Sequence, residues 1–305
     1  MALKALSSLS SNEYETFLNS FDTVLSDCDG VLWLESEVIK GSPEVINKFK
    51  TSGKKIFYVT NNSTKTRDQF LDKFKKLGFN ATKEEIIGTA YLTAQYLSSL
   101  NFNKKVYVVG SPGIAKELDS VGIRHIGVGP EPMPTSLPEL VDNLNLDPEV
   151  GAVVVGFDIH FSVPKVVKAT SYLERKGSIF IATNTDERYP LDVEGIIMPG
   201  TGAYVAAVQT AAERKPIIMG KPEAYIREYL VNKHKINPSR TLMIGDRCNS
   251  DILLGKRCGF QTLLVLTGVT DIEQAKAWKE SADKDENALV PDYYTNRLGD
   301  LLAHL

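Results

Sequence analysis

Cysteine is scarce in this chain. Cys28, Cys248 and Cys258 are the only three among 305 residues, and no two of them form a Cys-x-x-Cys pair. An odd, sparse set in a chain of this size excludes a disulfide scaffold and points to reduced thiols, hence a cytoplasmic setting. The four histidines, His125, His160, His234 and His304, are scattered, so zinc-ligand spacing is absent. An excess of one charge is also lacking: 35 basic against 38 acidic side chains leave a net charge of −3. Electrostatics therefore gives no reason to expect nucleic acid or an anionic membrane surface as partner. No apolar run approaches the roughly 18 residues a membrane-spanning helix needs. The first 21 residues carry Glu13 and Glu15 and have no apolar centre of a signal peptide.

What is present is ordinary globular material. Hydrophobic residues make up 43% and charged residues 24%, which argues against disorder, coiled coil and collagen. At about 150 residues per domain the length suggests two domains. Short apolar runs alternate with helix-period segments almost throughout. Runs at 21–26, 55–59, 106–109, 152–155, 178–182, 217–219, 241–244 and 262–266 read as strands. Phe70, Phe74 and Leu77 repeat at helical spacing, with Gly78 placed to cap the helix end. Thr82 and Glu85 form a capping-box pair ahead of a helix over about 89–100, and Ser111-Pro112 opens another. Alternating β and α units predict an α/β protein with a doubly wound, mostly parallel, Rossmann-like sheet. In such sheets ligands bind at the carboxyl ends of strands.

Four predicted strand ends carry polar groups: Asp27 and Asp29, Thr60-Asn61, Lys221, and Asp246 with Asp251. Singly, each reads as a helix cap, a turn or a surface lysine. Together they suit phosphoryl transfer, which needs an in-line nucleophile, charge cancellation and a proton donor for the leaving oxygen. A carboxylate can be the nucleophile and form an aspartyl-phosphate. Two carboxylates and a phosphate dianion share a site only if Mg²⁺ and a cation sit among them; Asp246 can complete the oxygen cage and Lys221 can supply the cation. Asp29, two residues beyond Asp27 on an extended stretch, points to the same side and can serve as general acid, then general base.

Asp27-Cys28-Asp29-Gly30-Val31-Leu32-Trp33 resembles the first motif of the haloacid dehalogenase-like phosphatases. Thr60-Asn61-Asn62-Ser63, Gly220-Lys221-Pro222 and the segment from Gly245-Asp246 to Ser250-Asp251 resemble the second, third and fourth, in the same order. The long α/β insert after the second motif resembles a type-two cap, and the chain as a whole is most like the phosphoglycolate phosphatase and 4-nitrophenylphosphatase group. The resemblance implies a core over 1–102 and 215–305 with an inserted α/β cap domain over 103–214. It implies Asp27 as nucleophile, Asp29 as acid/base, and Mg²⁺ held by Asp27, the Asp29 backbone carbonyl and Asp246. Thr60, Asn61, Asn62 and Lys221 hold the phosphoryl group, and Asp251 supports the metal or Lys221. The implied activity is hydrolysis of a small phosphorylated metabolite, 2-phosphoglycolate first, with broader 4-nitrophenyl phosphate or pyridoxal phosphate hydrolysis as the alternative. A homodimer through the cap also follows from the resemblance.

Ser250 and Asn249 depart from the usual fourth motif, which bears on metal affinity rather than on the reaction. The cap stretch 184–191 matches a loop that selects substrate in relatives. Arg188 there can fork onto a carboxylate, and Tyr189 stands where pyridoxal phosphatases carry His. A receiver-type phosphoacceptor module is disfavoured by Asp29, since receivers lack that second acid. Asp27-x-Asp29-Gly30 opens like an EF-hand loop, but its glycine comes too early and Val38 stands where the closing Glu belongs. Trp33 reads as packing, and Cys28 as a small buried filler whose anionic surroundings raise its pKa.

Overall fold

The computed structural model describes residues 3–189, 193 and 195–305. The strands in chain order are β1 (Lys4–Ala5), β2 (Thr23–Ser26), β3 (Trp33–Leu34), β4 (Glu37–Val38), β5 (Lys55–Thr60), β6 (Ile86–Gly88) and β7 (Lys105–Val109). They continue with β8 (His125–Ile126), β9 (Val150–Val155), β10 (Ile179–Ala182), β11 (Ile217–Ile218), β12 (Thr241–Gly245), β13 (Gln261–Val265) and β14 (Tyr293–Thr295). The chain divides into two compact units. The first takes residues up to Thr60, Asp68–Ile87 and Lys221–Leu305; the second takes Asn61–Arg67 and Gly88–Gly220.

The first unit holds a seven-stranded sheet in the order β1-β14-β13-β12-β2-β5-β6, parallel from β1 through β5. β2 and β12 are buried at every position, and β5 at every position after Lys55. That is the mark of parallel strands covered on both faces, and it explains why they read as continuous apolar runs rather than alternating ones. Val24, Tyr58 and Ile244 from the sheet pack with Trp33, Phe49, Phe74 and Phe79 in one core. The helix Arg67–Lys76 buries Phe70 and Phe74 and ends where Gly78 adopts φ 85°, as its spacing predicts.

The second unit carries its own five-stranded parallel sheet, β11-β10-β9-β7-β8. Its core gathers Tyr107, Val153, Tyr172, Phe180 and Val205. The helix Thr89–Ser99 packs on the helix Pro112–Asp119 and groups with the second unit.

One local expectation needs correction. The Thr82–Glu85 capping box forms and opens the 3₁₀ turn Lys83–Glu85. The β-branched pair Ile86-Ile87 then enters strand β6, fully buried, and the helix starts at Thr89, where the sequence placed it. Ser111 does precede the helix Pro112–Asp119, but its side chain makes no cap bond; its hydroxyl donates instead to the Ser63 carbonyl at 3.3 Å. The short strands β1, β14 and β6, the β3–β4 hairpin and the N-terminal helix Ser11–Asn19 are additions the sequence reading did not contain. Among the described residues no helix is long and apolar enough to cross a membrane.

Candidate active site

In the first sheet the chain leaves β2 toward β5 and β6 on one side, and later builds β12, β13 and β14 on the other. The reversal lies between β2 and β12, and a crevice opens there at the carboxyl ends. Asp27 follows β2 directly, with its backbone N–H still donating to the Ile244 carbonyl of β12 at 2.9 Å. Asp246 follows β12, and Thr60 closes β5.

Lys221 ties the cluster together. Its ammonium donates to Asp27 Oδ1 at 2.7 Å and to Asp251 Oδ1 at 2.6 Å, and its side chain is only 3% exposed. Asp251 sits on the single π-helical turn Cys248–Ile252, and its other oxygen accepts from the Arg247 N–H at 3.1 Å. Asp246 Oδ2 accepts from the Val269 N–H at 2.9 Å. Asp27, Asp246 and Asp251 each bring a carboxylate oxygen within 4.8 Å of the others.

Three carboxylates around one ammonium leave an excess of buried negative charge. Burial pushes Asp27 upward, with Lys221 opposing. Burial, then Asp27 and Asp251, hold Asp246 well above the carboxylate range. Burial pushes Asp251 to about 6 against the pull of Lys221. Burial alone would lower the Lys221 pKa, but Asp251 and Asp27 outweigh it and raise it. A hard divalent cation on carboxylate oxygens removes this excess, so the donor set fits Mg²⁺. Of the three, Asp27 and Asp246 suit direct ligation: Lys221 and Val269 engage one oxygen of each, and a carboxylate has acceptor capacity beyond one bond. Asp251 has both oxygens engaged, by Lys221 and Arg247, which suits an orienting part. Asp29 does not join the cluster through its carboxylate; the sequence expectation for it there concerns its backbone carbonyl.

The sequence missed what keeps Asp246 in place. A Cβ on Gly30 would lie 2.5 Å from Asp246 Oδ2, and one on Gly268 would collide with the same carboxylate. Gly30 also has φ 84°, a conformation side chains disfavour, and its carbonyl accepts from the Thr267 hydroxyl. Gly268 had no motif to flag it. Asp29 Oδ1 accepts from the Trp33 indole N–H at 2.8 Å, and Lys73 Nζ lies 3.9 Å from the same oxygen. Trp33 is therefore packing, as expected, with a polar handle that the sequence did not reveal. Cys28 is buried, and burial followed by Asp27 and Asp29 holds its thiol well above its usual pKa.

The remaining predicted residues lie in the second unit. Asn61 Nδ2 donates to Asp186 Oδ1 at 2.9 Å, and the Asn61 carbonyl accepts from Asn184 Nδ2 at 2.8 Å. Asn184 and Asp186 belong to the stretch from which the sequence singled out only Arg188 and Tyr189. Asn62 Oδ1 accepts from the backbone N–H and hydroxyl of Thr64, which shapes its own turn. Arg188 is exposed and bridges Pro199 through the backbone; the Tyr189 N–H donates to Met198, and its ring lies 4.5 Å from that of Phe157. The end of that stretch, Pro190 and Leu191, lies outside the described residues.

Two family descriptions match the chain: haloacid dehalogenase-like hydrolase over residues 24–124, and HAD-hydrolase-like over residues 218–301. A glycerol-3-phosphate phosphatase of Homo sapiens is 42% identical over 97% of this chain and 95% of its own length. This chain belongs to the haloacid dehalogenase-like hydrolases. A chloroplastic phosphoglycolate phosphatase of Arabidopsis thaliana is 40% identical to this hydrolase over 95% of the chain and 78% of its own length. Among solved structures, a p-nitrophenyl phosphatase from Archaeoglobus fulgidus matches with a TM-score of 0.78 and 28% identity, over 94% of this hydrolase and 100% of that chain. The hydrolase is a phosphatase of that family, with the Rossmann-like α/β core its sequence predicts.

Proposed function

We propose that the hydrolase is a Mg²⁺-dependent phosphomonoesterase that works through an aspartyl-phosphate on Asp27. The observation that carries this reading is the Lys221 ammonium held between Asp27 and Asp251, beside Asp246, at the point where the sheet reverses. In this reading the Asp27 carboxylate attacks phosphorus in line, and the ester P–O bond breaks as Asp29 gives its proton to the departing oxygen. Asp29, now ionised, takes a proton from the water that attacks the aspartyl-phosphate, which releases inorganic phosphate and restores Asp27. Lys221 offsets phosphoryl charge, and Thr60, Asn61 and Asn62 donate to the phosphoryl oxygens. Mg²⁺ held by Asp27, the Asp29 carbonyl and Asp246 would supply the positive charge that lets a carboxylate approach a phosphate dianion.

The substrate we propose is 2-phosphoglycolate. Arg188 supports it: the side chain is exposed, and among the described residues no hydrogen bond or ion pair to its guanidinium is seen, so the fork suits a substrate carboxylate. A second reading, glycerol 3-phosphate, is favoured by the name of the human relative. The insert over 103–214 as substrate-selecting cap, a homodimer through it and a cytoplasmic location complete the proposal.

Release of phosphate from 4-nitrophenyl phosphate, 2-phosphoglycolate and glycerol 3-phosphate, with Mg²⁺ and with excess EDTA, tests the reading. Turnover that persists in EDTA overturns the metal. Arg188→Ala separates the substrates: a charge-assisted hydrogen bond contributes about 1.5–3 kcal/mol, so kcat/KM for 2-phosphoglycolate should fall roughly 10- to 150-fold. The constant for 4-nitrophenyl phosphate, which has no carboxylate to lose, should change by less than about threefold. Equal changes on both would assign Arg188 a supporting part instead.

A further inference from the structure

The indole of Trp33 is fully buried, edge-to-face with Phe74 at 4.9 Å and Phe79 at 6.1 Å between ring centroids. A buried indole N–H needs an acceptor, and here the acceptor is Asp29 Oδ1 at 2.8 Å. The loop between the two residues is closed by the Gly30 N–H donating to the Trp33 carbonyl at 2.8 Å and the Leu32 N–H donating to the Cys28 carbonyl at 2.8 Å. Lys73, on the helix Arg67–Lys76, lays its ammonium 4.0 Å from the centroid of the same indole and 3.9 Å from the same Asp29 oxygen. It is anchored there by donating to the Glu35 carbonyl at 2.7 Å. One donor and one ammonium, both held by packing, thus face one oxygen of a carboxylate that is otherwise a third exposed.

We infer that Trp33, with Lys73 behind it, is a positioning residue that fixes Asp29 by its Oδ1 and thereby assigns proton transfer to Oδ2. The inference rests on the acid/base reading of Asp29 given above. In the first half-reaction the Oδ2–H bond breaks and an O–H bond forms on the departing ester oxygen while its bond to phosphorus breaks; Oδ1 stays with the indole throughout. An untethered aspartate at a site one-third open would sample several rotamers, and displacement of a reacting group by about 1 Å costs on the order of 100-fold in rate.

The test uses leaving-group dependence in the Mg²⁺-loaded full chain. An alkyl phosphate leaves as a basic alkoxide that needs the proton, whereas 4-nitrophenolate leaves without it. Trp33→Phe keeps the ring and removes the N–H. It should lower kcat/KM for the better of glycerol 3-phosphate and 2-phosphoglycolate by about 10-fold, and that for 4-nitrophenyl phosphate by less than about threefold. Asp29→Asn should show the same asymmetry more steeply, and adding Trp33→Phe to it should cost nothing further on the alkyl ester. Equal losses on both esters, or additive losses in the double variant, overturn the inference. An Asp29→Asn variant with no leaving-group dependence overturns the acid/base reading itself, which is a distinguishable result. Should Trp33→Phe not fold, the indole ¹⁵N–H resonances decide. The chain has two tryptophans, and Asp29→Asn should move the Trp33 signal and leave that of Trp278; an unmoved Trp33 signal overturns the inference.

Discussion

Each of the two parallel sheets has one point where the order of its strands reverses, between β2 and β12 in the first and between β7 and β9 in the second. Topology alone makes a crevice at both. In the first, the residues that follow the two strands are Asp27 and Asp246, and glycines at 30 and 268 leave room for the Asp246 carboxylate. In the second, the residues that follow are Gly110 and Gly156, and the space is taken by one methyl group. Ile114 Cδ1 would lie 2.6 Å from a Cβ on Gly110 and 2.5 Å from one on Gly156. Asp158, two positions beyond Gly156, is buried in an ion pair with Lys165. Glycine therefore serves opposite ends in the two sheets: it admits a carboxylate in one and an apolar plug in the other. A strand-end position is a place for chemistry, and the side chain there decides whether any is done.

The comparison breaks most sharply at Asp27. Asp27→Asn removes the proposed anionic nucleophile at nearly constant volume. Activity on any phosphate ester should fall on the order of 10³-fold or more while the melting curve survives. A variant that keeps a tenth of wild-type kcat would sink the assignment.

Gly268→Ala should cost less but still heavily, because its Cβ collides with the Asp246 carboxylate. We expect a loss of about 10- to 100-fold in kcat, partly recovered at high Mg²⁺, since liganding groups and their supports typically count for that much in metal affinity or activity. Titrating Mg²⁺ against rate checks this, and an unchanged Mg²⁺ dependence would contradict the crowding argument.

The proposed metal should be visible without turnover. Anything that binds only the folded state stabilises it, by about 2.7 kcal/mol at a hundredfold excess over Kd. Mg²⁺ should raise the melting temperature of the wild type and fail to raise that of Asp246→Asn. A shift of equal size in both would place the cation elsewhere.

In the second sheet the matching substitution should act on stability alone. Gly110→Ala forces Ile114 aside and should cost about 1–3 kcal/mol of unfolding free energy, as overpacking does. In an Ile114→Ala background, itself less stable by the loss of a buried side chain, Gly110→Ala should cost much less than it does in the wild type. Chemical denaturation of the single and double variants decides, and a loss of activity greater than that of folded protein would show that the second crevice is not inert.

The smallest effect concerns the thiols. Cys28, Cys248 and Cys258 are all buried, and burial first among the causes pushes Cys248 to about 12 and Cys258 to about 11. Native protein at pH 8 should release almost no colour with a thiol reagent, and three equivalents after denaturation. Rapid reaction of one thiol in the native state would mean that one of these positions opens readily.

Most of the first sheet was legible because parallel strands buried on both faces write themselves as unbroken apolar runs. β2, β5, β12 and β13 were each found within two residues of their ends. The two- and three-residue strands β1, β6, β8 and β14 were not, since so short a stretch has no period to read and is defined by its neighbour's hydrogen bonds. The acids and the lysine of the site were legible for a different reason: ionisable groups directly after apolar runs are costly to bury and stand out in a sequence. Gly268 and the indole N–H of Trp33 were not legible, because what each does depends on a partner distant in sequence or on a contact across a folded loop.

The sequence by itself determined the alternation of strand and helix and the absence of zinc-type ligand spacing, and it singled out Asp27, Asp29, Lys221, Asp246 and Asp251 as candidates. These follow from local periodicity and from residue type, which need no knowledge of contacts. Only the tertiary structure decided that Lys221 bridges Asp27 and Asp251 across 194 and 30 positions of chain. It alone decided that Gly30 and Gly268 make room for Asp246, and that one of two topologically equivalent crevices is filled by Ile114. Hydrogen bonds and excluded volume act between atoms that the fold brings within a few ångströms, and no local pattern along the chain encodes that distance.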